Sequence, residues 1–312
     1  MSVTTSPTPT AEAMAVAGQA GLLTSRRTVV LALSGVTALT EVAGIAGIVP
    51  PIPIGGINLS MSIIPALVLG LACGSRLLGR SSIRRAAMGF WITCGILLPA
   101  LAIAYVRQGR FELYPALILA ALNEELVYRL AIPAVIAAAL RLGNVRPNAA
   151  RIAGLAGAGL WFVLLPGHVE QMHDPAGIVP YVSFAALSAF IVYRSGSILP
   201  LAIGHAISNL LTVLMWREAV PADTRSLALA TVLGLLVLAY GRPSRITVGD
   251  DGGLVDIHTG LPVAAIDLRD GQPALLELTD GRVLPVHNKL MVHPPKVPVV
   301  QVDRRSADRE AP

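Results

Sequence analysis

The chain has 312 residues, 54% hydrophobic and 14% charged, with a net charge of +5. Average soluble domains carry about 25% charged residues, so an ordinary soluble globule is excluded and a polytopic membrane protein is indicated. The basic residues cluster in short loops without interleaved aromatics, which argues against a nucleic-acid partner.

Residues 1–27 are rich in Ser, Thr, Pro and Ala and end in Arg26-Arg27, so they read as a disordered leader. The first apolar run starts late and has no clear small-residue cleavage site after it, so a signal peptide is not expected. Eight apolar runs follow, at roughly 28–49, 58–75, 86–106, 113–140, 152–167, 177–193, 198–216 and 225–241. A crossing helix needs about 20 residues. The fifth run is short and the fourth long, which leaves room for a tilted helix and a partly re-entrant one. The runs lack the alternation of a barrel, so helices are expected. Cys73 and Cys94 fall inside apolar runs without metal spacing and read as small buried residues.

The loops predict the orientation. Arg76, Arg80, Arg84, Arg85, Arg141, Arg146, Arg151 and Arg194 fall on one side with both flanks of the membrane region, whereas Arg107, Arg110 and Arg217 fall on the other. The positive-inside rule then puts both termini in the cytoplasm, with the chain in the plasma membrane. Residues 242–312 differ in kind. Short apolar stretches alternate there with D-G and T-G turn signals, which predicts a small β-rich tail, disordered at its end and open to a protein partner. The expected fold is thus an all-α polytopic membrane protein of about eight transmembrane helices (28–241) with a β-rich cytoplasmic tail.

Charged groups stand inside the apolar runs. In the stretch "ALNEELVYRLAIPAVIAAAL", from Ala121 to Leu140, Glu124 and Glu125 lie about 100° apart on a helix and cannot share a face. Glu125 and Arg129 are at i,i+4 and can pair, which leaves Glu124 for neighbouring helices. A charge at a helix centre costs roughly 2.5–3.5 kcal/mol on the insertion scale, so such groups face a bundle interior or a watery cavity. His205 and Asn209 are also at i,i+4, and His168 ends the fifth run, with His173 as a spare candidate. A carboxylate, histidines and an amide make a kit for hydrolysis: a base, a proton carrier and oxyanion donors. The same groups could hold zinc, although no H-E-x-x-H is present.

The pattern resembles the CPBP family of CAAX proteases and bacteriocin-processing enzymes, also called the Abi family. The likeness is carried by E-E-x-x-x-R at Glu124, Glu125 and Arg129, and by "RSGSILPLAIGHAISNLL" (Arg194 to Leu211), which holds H-x-x-x-N at His205 and Asn209. It covers about 114–211. The second motif departs from the family's F-x-x-x-H, because Leu164 stands four before His168 and Phe162 two further back. The resemblance implies an all-helical protease core. In it Glu124 and His168 activate a water, His205 and Asn209 stabilise the oxyanion, and Glu125 and Arg129 orient the first glutamate. The implied activity is intramembrane endoproteolysis of a membrane-associated protein or peptide, with no cofactor required and a divalent metal such as zinc as the other possibility. A non-catalytic scaffold or self-immunity protein of the same fold is the alternative, and a proton-coupled transporter is disfavoured by the lack of paired broken helices. The high Ala, Gly and Arg content points to a bacterium. Counting residues along the runs puts Glu124 and His205 near mid-depth and His168 near the outer end, so all three can meet only if the fifth run is re-entrant or folds back at its end.

Overall fold

The computed structural model describes residues 11–79, 81, 83–170, 172, 175–241, 246–248, 254–256, 261–269 and 272–285. Its core is a helical bundle. Among the described residues, five helices are long and apolar enough to cross a membrane: Thr28–Ile45 within α1 (Ala11–Ile45), α3 (Arg84–Arg107), Ile178–Ser195 within α8 (Pro175–Ser195), α9 (Leu199–Trp216) and α10 (Ala222–Tyr240). The other three runs are helical too. However, α2 (Ile63–Cys73) has 11 residues and α6 (Pro147–Val163) has 17. The fourth run is divided into α4 (Leu113–Leu126), a π-helical turn at Val127–Ala131, and α5 (Ile132–Leu142).

The π turn has a local cause. Pro133 has no N–H, and its ring crowds the carbonyl four residues back, that of Arg129. Widening the helix by one residue per turn relieves that crowding, and such π bulges are frequent at functional sites. α6 packs against this segment closely. A Cβ at Gly154 would lie 2.5 Å from the Pro133 carbonyl oxygen.

α1 begins inside the stretch read as a leader. After α1 comes a feature absent from the sequence reading, a hairpin of β1 (Ile52–Ile54) and β2 (Ile57–Leu59). Ile54 pairs with Ile57 across Gly55-Gly56, both at positive φ, which is the two-residue turn that suits strand twist. Gly55 lies against the Glu112 carbonyl and Ala116 of α4, where a side chain would collide. The hairpin thereby fixes Ser60 and Ser62 next to α1 and α4.

α9 is the central helix: 56% of its span is buried, against 17–22% for the other four. Tyr105 of α3 donates to the Leu210 carbonyl at 3.0 Å, and Gly204 lets Leu236 and Val232 of α10 approach. The arginine-rich loops meet at one end of the bundle. Ile198 N–H bonds the Leu77 carbonyl at 2.9 Å, Ser81 bonds that of Ala239 at 3.0 Å, and Arg151 bonds that of Val192 at 3.1 Å.

In the tail, β3 (Ile246–Val248) pairs with β4 (Leu254–Asp256), and β5 (Val263–Arg269), β6 (Gln272–Leu278) and β7 (Val283–Pro285) form an antiparallel meander in chain order. Gly281, at positive φ, completes the D-G turn between β6 and β7. Residues 1–10 and 286–312, which include the end read as disordered, lie outside the described residues, as does His173.

Candidate active site in the bundle

α4 presents Glu124 and Glu125 to α9, and His205 receives both. Its Nδ1 lies 2.9 Å from Glu125 Oε1, and its Nε2 lies 3.6 Å from Glu124 Oε2. Neighbouring helical residues cannot share a face, but one imidazole has two nitrogens on different edges, so the two carboxylates meet the same ring. The expectation that Glu125 pairs only along its own helix is therefore corrected. The carboxylates differ in access: the Glu124 side chain is 28% exposed and that of Glu125 is 1% exposed. Glu124 is the more exposed of the two.

Arg129, in the π turn, is fully buried. Its Nε is 3.8 Å from Glu125 Oε2, which bears out the i,i+4 pairing as an ion pair longer than a hydrogen bond. Nη1 donates to the Tyr128 carbonyl at 3.2 Å, and Cζ stands 5.0 Å from the Phe162 ring centre. Nε, Nη2 and Glu125 Oε2 have no hydrogen-bond partner among the described residues. Charge attraction and the ring face hold the guanidinium, and three buried polar atoms are left unpaired at the centre of the site.

His168 lies in α7 (Pro166–Val169), a single turn after α6. The chain leaves α6 at Leu164, passes through extended Leu165 (ψ 139) and restarts at Pro166. This folds the end of the fifth run back, so His168 Nδ1 sits 2.6 Å from the Phe162 carbonyl and its ring 4.5 Å from the Phe162 ring. In an unbroken helix a residue four back shares a histidine's face. The break shifts that partner to six back, which accounts for the departure from F-x-x-x-H. Phe162 also contacts Tyr128 at 5.5 Å and His205 at 6.4 Å, so it is the hub between both histidines. Among the described residues no hydrogen bond or ion pair joins His168 to Glu124 or His205. Asn209 is half-buried one turn beyond His205 and has no side-chain hydrogen bond among the described residues.

The sequence reading missed a second set of polar residues. Glu41 of α1 is buried at 6% exposure. Its Oε1 accepts the Tyr128 hydroxyl at 2.6 Å, and its Oε2 accepts Ser60 and Ser62, each at 2.6 Å. Three hydroxyls thus converge on the two oxygens of Glu41. With its own proton spent on Glu41, Ser62 accepts from Asn123 Nδ2 at 3.2 Å. The available signal was a lone glutamate within the first apolar run, a default functional position in a membrane.

Among the described residues no three of His, Cys, Asp and Glu are grouped to hold a metal. The two carboxylates approach different nitrogens of His205.

Residues 107–211 match the family model described as type II CAAX prenyl endopeptidase Rce1-like. The segment contains Glu124, Glu125, Arg129, His168, His205 and Asn209, and it agrees with the CPBP/CAAX protease resemblance carried by the motifs. The match implies a membrane-embedded domain in a multi-pass protein, with peptide hydrolysis as the class of activity. No curated protein and no solved structure matches the chain.

Proposed function

We propose that the protein is an intramembrane endopeptidase that hydrolyses a peptide bond of a membrane-associated protein or peptide. His205 held between two carboxylates on the most buried helix supports this reading, because Glu124 alone of the pair stays open to reactants. Glu124, helped by His168, takes a proton from water. The hydroxide oxygen bonds to the scissile carbonyl carbon, and the carbonyl oxygen becomes an oxyanion. Nε2 of His205 and the unengaged amide of Asn209 face that oxygen as donors. Collapse of the tetrahedral intermediate breaks the C–N bond, and the proton held by Glu124 passes to the leaving amine. Glu125 and Arg129 orient the helix that carries the base.

In this reading all eight runs belong to the membrane domain, the arginine-rich end faces the cytoplasm with both termini, and the membrane is the plasma membrane of a bacterium. The strands of the tail are a surface for a protein partner.

The test is cleavage of a peptide library by the purified protein in detergent, for wild type, Glu124→Ala and His205→Ala, with and without chelator. Cleavage by wild type that survives chelator and is lost in both variants supports the reading. Loss on chelation returns Glu124, His168 and His205 to a metal site. No cleavage by a well-folded wild type, over substrates with and without prenyl groups, favours a non-catalytic scaffold or self-immunity protein.

A further inference from the structure

Glu41 lies outside the segment that matches the protease family, on a helix packed against the π turn. Its three hydroxyl partners connect it to both sides of the glutamate pair. Through Ser62 it reaches Asn123, the residue before Glu124, and through its Oε1 it holds Tyr128, three residues after Glu125. The contacts then run on without a gap. Tyr128's carbonyl accepts Arg129 at 3.2 Å, Arg129 faces Glu125 at 3.8 Å, Glu125 bonds His205 at 2.9 Å, and His205 faces Glu124 at 3.6 Å. Tyr128 and Arg129 both belong to the π turn, and such turns are frequent at functional sites.

We infer that Glu41 is a positioning residue of the active site: its carboxylate clamps Tyr128 and, through Ser62, Asn123, and so holds the π turn that Pro133 induces in the orientation that aims Glu124 and Glu125 at His205. The inference rests on the proposed function for its effect on rate but not for its effect on geometry. A carboxylate that held α1 against α4 for packing alone would need neither Tyr128 nor the π turn. Three hydroxyls converging on one buried carboxylate, two of them from serines just after a hairpin closed by two glycines, form a built acceptor site. The Glu41 clamp grips the catalytic helix on either side of the reacting pair.

The experiment compares Glu41→Gln, Tyr128→Phe and the double variant in lipid nanodiscs. Tyr128→Phe removes a single hydroxyl and serves where Glu41→Gln fails to fold. Each single variant is expected to keep the wild-type melting temperature within a few degrees and to lower kcat about tenfold or more while leaving KM nearly unchanged, since a transition-state geometry is disturbed and substrate contacts are not. The double variant is expected to be no slower than the slower single, because both changes cut one contact. Nitrogen-15 resonances of the His205 ring provide a readout without catalysis: the hydrogen-bonded Nδ1 signal should shift in both variants. Unchanged His205 resonances overturn the inference whether or not the wild type cleaves peptides. Additive rate losses, or losses confined to KM, overturn it as well. An inactive wild type with shifted His205 resonances leaves the clamp standing and removes only the proposed reaction.

Discussion

His205 is bonded to Glu125 and not to Glu124: the first contact is 2.9 Å and the second 3.6 Å. The inner carboxylate thus fixes the ring, and the outer one faces both the ring and the reachable side of the site. This division of labour predicts different kinetics for the two neighbours. Glu124→Gln should lower kcat by about 10²–10⁴-fold, the scale of a lost general base, with the fold intact. Glu125→Gln keeps an amide oxygen for Nδ1 and should cost far less in kcat. Single-turnover cleavage of a library-derived peptide measures both. Equal losses would remove the assignment of Glu124 as the base.

The Glu125–Arg129 pair should govern stability more than rate. Both side chains are buried, and removing one charge leaves the other uncompensated, at a cost of about 3–5 kcal/mol. Glu125→Leu alone should therefore lower the melting temperature steeply. Adding Arg129→Met should recover much of that loss, because the pair already leaves Glu125 Oε2 and two guanidinium nitrogens unpaired. Thermal unfolding in one detergent compares the three proteins. A double variant less stable than the single would show that the pair is a net source of stability.

The core of this site was legible in the sequence because its residues break the local rule. A charge in an apolar run has to be explained, and helical spacing then links Glu125 to Arg129 and His205 to Asn209. What spacing could not supply was the contact between helices. That Glu125 as well as Glu124 turns to His205 depends on how α4 meets α9. The helices themselves were legible as runs, but breaks inside them were not. The π turn follows from Pro133 crowding a carbonyl within its own run, and the fold-back after Leu164 follows from Pro166, yet neither proline says where the chain goes next. Glu41 escaped because its partners, Tyr128 and two serines after a hairpin, are 19 to 87 residues away in the chain.

Phe162 should act on both histidines at once. Its ring lies 4.5 Å from that of His168 and 6.4 Å from that of His205, and the Arg129 guanidinium stacks on it at 5.0 Å. Phe162→Leu keeps an apolar side chain of smaller size and removes the flat faces. The expected result is a loss of kcat larger than that of Phe184→Leu but smaller than that of His168→Gln, which removes a group acting on the water, with a modest fall in melting temperature. Cleavage kinetics on the three variants decide the order. A Phe162→Leu loss no larger than that of Phe184→Leu would show that Phe162 does not position the two histidines.

The last expectation concerns the approach of α6 to the π turn. At Gly154 an added Cβ would stand 2.5 Å from the Pro133 carbonyl oxygen and 3.3 Å from the Pro133 Cα, and backbone atoms cannot turn aside as a flexible side chain can. Gly154→Ala should thus force α6 away from α5 at a cost of about 1–3 kcal/mol, the scale of an overpacked core. The displacement would carry Phe162, two turns along α6, away from Arg129 and His205. Activity should fall further than the stability loss explains at a temperature where the variant is still folded. Gly157→Ala, on the same helix but facing only the end of the Ile136 side chain at 3.4 Å, should be nearly neutral in both respects. Melting temperature and kcat measured side by side for the two variants test this. Equal effects at both positions would show that helix propensity, not the Pro133 contact, sets the response.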